Sequence, residues 1–82
     1  MSDLRVTPRT IALIDRLYNP DNLNISQDTR LYSDLGIMPK KMIELVMDIE
    51  DLFDVAIPEH QFENFETIGN IISFVNQAKY KS

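Results

Sequence analysis

Thirteen carboxylates and a single imidazole are the side chains of this sequence that could hold a metal or move a proton, and their arrangement suits neither task. His60 has no second histidine or cysteine to join it, and a lone histidine without a clustered ligand set is expected to be a surface or helix residue, not a metal ligand. The acids do not follow the twelve-residue calcium-loop pattern. No nucleophile–base pair and no glycine-rich phosphate loop is present, since the chain has only two glycines. Neither catalysis nor a resident metal is expected. What remains is the chemistry of a charged surface.

That surface is lopsided. From residue 44 to residue 66 the chain carries Glu44, Asp48, Glu50, Asp51, Asp54, Glu59, Glu63 and Glu66 without one Lys or Arg, while six of the eight basic residues precede Met42. Unpaired like charges on one helix weaken it, so this density exceeds what solubility asks for. The net charge of −5 argues against nucleic acid and against anionic membranes, both of which reward Lys and Arg. No stretch approaches a membrane-spanning length and the first residues lack an apolar leader, which points to the cytoplasm.

The elements that must carry these charges are helices. With 82 residues and no cysteine, the chain is read as one domain spanning 1–82 that folds without disulfides. Thr7 and Pro8 look like a cap and first position, with Val6 and Ile11 as a hydrophobic staple. Ile11, Ile14, Leu17 and Tyr18 then recur at helical spacing until Asn19-Pro20. Residues 21–38 read as a long polar loop pinned by Leu23, Ile25, Leu31, Leu35 and Ile37, with Gly36 supplying a backbone angle other residues resist.

Pro39 opens a second helix whose stripe of Met42, Leu45, Val46, Ile49 and Phe53 faces the core. Glu44, Asp48 and Asp51 fall on the opposite side, and Ile43 and Met47 lie on a flank with Glu50 nearby. Ile57-Pro58 introduces a short helix, and Thr67 caps a last one with Ile68, Ile71, Ile72 and Val75 in phase. Phe62, Phe65 and Phe74 are assigned to the core. The expected helices are about 7–18, 39–53, 58–64 and 67–79, with a frayed tail at Lys79-Tyr80-Lys81-Ser82. The fold class is an all-α four-helix bundle of three long helices and one short.

The run DLGIMPKKMIELVMDIEDLF at 34–53, followed by DVAIPEHQFENFETIGNIISFV, resembles the second-to-fourth-helix region of acyl carrier proteins. The resemblance implies an Asp-Leu-Gly turn, an acidic second helix, an Ile-Pro step and a capped final helix, in a four-helix bundle with a long first loop. It also implies a serine at the start of helix two, which would bear a phosphopantetheine arm whose thiol carries the acyl group.

Aligned on Asp34-Leu35-Gly36, that position is Pro39, which has no hydroxyl to esterify. Lys40 and Lys41 stand where the family has Leu and an acid, which should weaken docking of a transferase with a basic surface. Both departures lead to the expectation that phosphopantetheine is absent and that no cofactor is bound. Ser33, just before the turn, is the weak alternative attachment site.

The function expected is therefore a non-catalytic, acyl-carrier-like docking module that presents acidic helix two to a protein partner with a basic surface, such as a biosynthetic enzyme. Glu44, Glu50 and Asp51 match family positions used for docking, Ile43 and Met47 add apolar contact, and Lys40 and Lys41 modify the upper end. Nucleic acid and membrane are not expected partners, and a monomer is expected. The alternative is a working carrier in fatty-acid or polyketide-type biosynthesis, modified at an unusual serine.

Overall fold

The periodic apolar segments wind into helices in the computed structural model, which describes residues 5–80. Four helices follow one another: α1 (Val6–Leu17), α2 (Pro39–Phe53), a short 3-10 helix (Glu59–Asn64) and α3 (Ile68–Tyr80). Among the described residues no strand forms, and the fold is all-α. The core gathers Leu13 and Ile14 of α1, Leu45, Val46, Ile49 and Phe53 of α2, and Ile68, Ile71, Ile72 and Val75 of α3. Each set repeats at the three-to-four-residue spacing of one helix face, as the apolar pattern requires.

The start of α1 differs from the expected cap. Arg5 flanks the helix and Val6 is its first residue, so Thr7 lies inside the first turn and Pro8 comes third. Val6 is buried in the core, and its burial draws the first turn forward. Pro8 is tolerated because the first backbone N–H groups of a helix lack intrahelical acceptors anyway. With Val6 inside the helix, Val6 and Ile11 are not a staple across its cap.

Pro39 opens α2, as its fixed φ favours. Met38 before it is extended, the conformation proline imposes on its predecessor. Asp54 ends the helix in the left-handed region at φ 55°, where its N–H still donates to the Glu50 carbonyl. At the start of α3 the Thr67 Oγ1 accepts the Asn70 N–H at 3.2 Å. In return Asn70 Oδ1 accepts the N–H groups of Glu66 and Thr67 at 2.8 and 2.9 Å, a reciprocal cap. α3 continues through Lys79 and Tyr80, where a frayed tail is expected; Lys81 and Ser82 lie outside the described residues.

The long connection between α1 and α2 is held by three devices. Asn19 is buried, donates through Nδ2 to Asp15 Oδ1 and to the Leu23 carbonyl at 2.8 Å each, and accepts the Leu23 N–H at 2.9 Å. Leu31, Leu35 and Ile37 are buried and Ile25 half-buried, but Leu23 is exposed, so its backbone rather than its side chain anchors the loop. Finally the loop lies along the entry to α3: Leu31 N–H donates to the Glu66 carbonyl at 2.9 Å, Ile68 N–H to the Thr29 carbonyl at 3.1 Å and Gly69 N–H to the Gln27 carbonyl at 2.8 Å. These bonds satisfy backbone groups that a buried loop would otherwise leave open.

Candidate functional site

The loop between α1 and α2 ends in a wound turn. Asp34 Oδ2 accepts the Arg30 N–H at 2.8 Å, the Gly36 N–H reaches the Tyr32 carbonyl at 2.9 Å, and the Ile37 N–H reaches the Leu31 carbonyl at 2.9 Å. Gly36 closes the turn at φ +68°, the angle expected of it. With Leu31 and Leu35 turned inward, Tyr32 and Ser33 are left exposed beside the first turn of α2.

That first turn forms one wall of an open apolar groove of about 690 Å³, lined by Tyr32, Ile37, Met38, Pro39, Met42, Ile43, Phe62 and Glu63. Phe62 is half-buried and lines this groove instead of filling the core, because the 3-10 helix that carries it sits against the bundle's edge and buries none of its six residues fully. Phe74 is also half-buried and packs edge-on against buried Phe65, with ring centroids 6.0 Å apart. Spacing alone does not mark Tyr32 and Met38, both exposed, as surface residues. Their signal is that two large apolar side chains occur where no helix stripe accounts for them.

Along the outer side of α2, Ile43 is 46% exposed and Met47 57% exposed. Lys40, Lys41, Glu44 and Asp51 are exposed around them. Lys41 Nζ lies 3.5 Å from Glu44 Oε1, an exposed pair of the kind worth little to stability. Among the described residues Lys40 and Asp51 have no ionic partner.

Two acids have other work. Glu50 is half-buried and its Oε2 accepts the Ile57 N–H at 2.8 Å, fastening the link that follows α2; one of its oxygens is thus committed inside the fold. Asp48 does not simply face water. Its Oδ2 accepts the Tyr18 hydroxyl at 2.6 Å, joining the end of α1 to α2. Burial, reinforced by the hydrogen bond to Asp48 and by the nearby negative charge, pushes the Tyr18 hydroxyl pKa well above the ordinary tyrosine value.

Among the described residues no helix is long and apolar enough to cross a membrane, and no three His, Cys, Asp or Glu side chains gather to hold a metal ion. The molecule's distinctive features are instead on one helix: an apolar groove at its start and a charged, partly apolar face along its length.

Residues 9–75 match the family described as phosphopantetheine attachment site. The chain is 39% identical over 64 residues to an acyl carrier protein of Exiguobacterium sibiricum, covering 78% of this chain and 80% of the relative. It is 37% identical over 60 residues to one of Sulfurovum sp., covering 73% and 77%. It is 25% identical over 79 residues to one of Prochlorococcus marinus, covering 96% and 99%. This chain belongs to the acyl carrier protein family.

The prosthetic group in that family description requires a hydroxyl to bear its phosphodiester. Here α2 begins with Pro39, and residues 34–66 contain neither serine nor threonine. The first residues of α2 therefore do not fit the group.

Proposed function

We propose that this chain is an acyl-carrier-like docking module that works without a phosphopantetheine arm, offering α2 to a basic surface on a protein partner such as a biosynthetic enzyme. The observation that carries the reading is the proline at the first position of α2, where the resemblance to carriers calls for the esterified serine. The exposed Ile43 and Met47, with Glu44 and Asp51 beside them, support a role for the helix surface itself. Acids there would steer a basic partner during encounter, and the apolar pair would add contact once it docks. Glu50 belongs to this set more weakly, because its carboxylate already serves the Ile57 amide.

The intact mass after incubation with coenzyme A and a permissive phosphopantetheinyl transferase tests the reading. The expected result is an unchanged mass for the native chain and a gain of one phosphopantetheine for the Pro39→Ser/Lys41→Asp variant. A native chain that gains the group overturns it. In that event the second reading applies, a working carrier modified at Ser33, which its place in the turn just before α2 favours over Ser73, equally exposed but on α3.

A further inference from the structure

Sulfur in this chain gathers on one helix. There is no cysteine, so the four methionine thioethers are its only sulfur groups, and Met1 lies outside the described residues. The other three, Met38, Met42 and Met47, stand at the start of α2 and along it, and none is fully buried in the core. Met38 is 53% and Met47 57% exposed, whereas Met42 between them is half-buried. Methionine commonly fills irregular gaps in a core, where oxidation would break packing. Here the core is built of other residues, and the accessible thioethers lie on the surface.

These thioethers also bound the apolar part of that surface. Met38 and Met42 line the groove together with Ile43, and Met47 follows Ile43 one helical turn further on. We infer that Met38 and Met47 are an oxidation site, through which a peroxide removes the apolar character of the α2 face while the fold stays intact. With hydrogen peroxide, a sulfur lone pair attacks one peroxide oxygen, the S–O bond forms and the O–O bond breaks. The proton on the transferred oxygen passes to the departing hydroxide, which leaves as water. The thioether is oxidised by two electrons to a neutral sulfoxide and the peroxide is reduced by the same two. Methionine sulfoxide reductases reverse the change with a dithiol, which becomes a disulfide as the sulfoxide oxygen leaves as water.

Hydrogen peroxide is uncharged, so the acids along α2 do not keep it away, and the selection between methionines falls to exposure. The sulfoxide is polar, and an apolar partner surface laid over it would bury its oxygen without a hydrogen bond. The charge of the helix does not change. Oxidation therefore removes the apolar contact and leaves the electrostatic steering in place.

This regulation rests on the docking role proposed above, but its test uses the chain alone. Failure of the oxidation site leaves the armless-carrier reading standing, and loading of the native chain by a transferase leaves the oxidation site standing.

The test is a time course of the intact chain in dilute hydrogen peroxide, with each added oxygen located by fragmentation of the derived peptides. Met38 and Met47 should be oxidised at similar rates and several-fold faster than Met42. Circular dichroism and urea unfolding should be unchanged by oxidation at these two positions. On hydrophobic-interaction chromatography the oxidised chain should elute earlier, and treatment with reductases for both sulfoxide epimers plus a dithiol should return it to the native position.

Met38→Leu/Met47→Leu keeps apolar side chains at both exposed positions without their thioethers, so its elution should not move under the same treatment. Met1 is common to both proteins and cannot produce a difference between them. The comparison of the native chain before and after oxidation needs no variant at all. Met42 oxidised as fast as Met38 and Met47, stability lost on oxidation of those two, an elution that does not move or does not return, or an equal shift in the leucine variant overturns the inference.

Discussion

The Tyr18 hydroxyl donates to Asp48 Oδ2 at 2.6 Å across thirty residues of sequence, tying the C-terminal end of α1 to the middle of α2. Tyr18 is buried and Asp48 half-buried, so water replaces the bond poorly. Tyr18→Phe should lower stability by about 1.5–3 kcal/mol, the range for a hydrogen bond to a charged group, as measured by urea unfolding.

Burial of Tyr18, reinforced by the same bond, sets an alkaline limit. The native fold holds the Tyr18 proton above its ordinary pKa. The unfolded tyrosine ionises near about 10. The folded state therefore binds more protons once pH exceeds that value, and this part of the stability, complete below it, is lost as pH rises toward the folded-state pKa. Stability measured against pH should fall on the alkaline side for the native chain and fall less steeply for Tyr18→Phe. Equal slopes in both proteins would show that Tyr18 does not carry the effect.

Glu50 separates folding from docking on the acidic helix. Its Oε2 accepts the Ile57 N–H at 2.8 Å in a half-buried setting, and Glu50→Ala would leave that donor unmet. The expected loss is about 1–2 kcal/mol in urea unfolding, and Glu50→Gln, which keeps an acceptor oxygen, should lose less than half of it. Glu44→Ala and Asp51→Ala, at exposed positions, should change stability by about 0.5 kcal/mol or less.

Asp48 and Glu50 mark where the sequence stops being informative. The core stripe of Leu45, Val46, Ile49 and Phe53 could be read because burial on a helix repeats with the helix's own period, whereas Met42, at its start, is half-buried and lines the groove. Gly36 could be read because a glycine before a helix start implies a special backbone angle, and it has one. Helical projection gives an angle but not a neighbour. Asp48 projects toward water until α1 brings Tyr18 against it, and Glu50 projects to a flank until the chain returns with the Ile57 amide. Thr7 shows the opposite failure: a good local capping signal loses when burial of Val6 starts the helix earlier. The fastening of the long loop to the entry of α3 rests on backbone bonds, which no side-chain pattern encodes.

The reciprocal cap at α3 carries a prediction of its own. Thr67 Oγ1 accepts the Asn70 N–H, and Asn70 Oδ1 accepts from Glu66 and Thr67. Thr67→Ala should cost about 1 kcal/mol and Thr67→Ser less, judged by thermal and urea unfolding. Asn70→Ala frees two N–H groups, but Asn70 is exposed and water can replace its oxygen, so its loss should be no larger than that of Thr67→Ala.

The two glycines should respond to alanine for different reasons. Gly36 adopts φ +68°, and a Cβ there would meet nothing within 4 Å, so Gly36→Ala suffers backbone strain alone, about 1–2 kcal/mol. Gly69 has ordinary helical geometry, but a Cβ would stand 3.1 Å from the Gln27 carbonyl oxygen, which already accepts the Gly69 N–H at 2.8 Å. That carbonyl belongs to a stretch held further by the Ile68 N–H on Thr29 and the Leu31 N–H on Glu66, so it cannot retreat without loosening neighbouring bonds. Gly69→Ala should therefore lose stability despite the roughly 0.5–1 kcal/mol that alanine usually gains over glycine in a helix. Amide hydrogen exchange should locate the damage, with faster exchange at Leu31, Ile68 and residue 69 in Gly69→Ala and little change there in Gly36→Ala. A Gly69→Ala protein more stable than the native chain, with those amides still protected, would mean that the loop can yield and that its three backbone bonds do not fix its place.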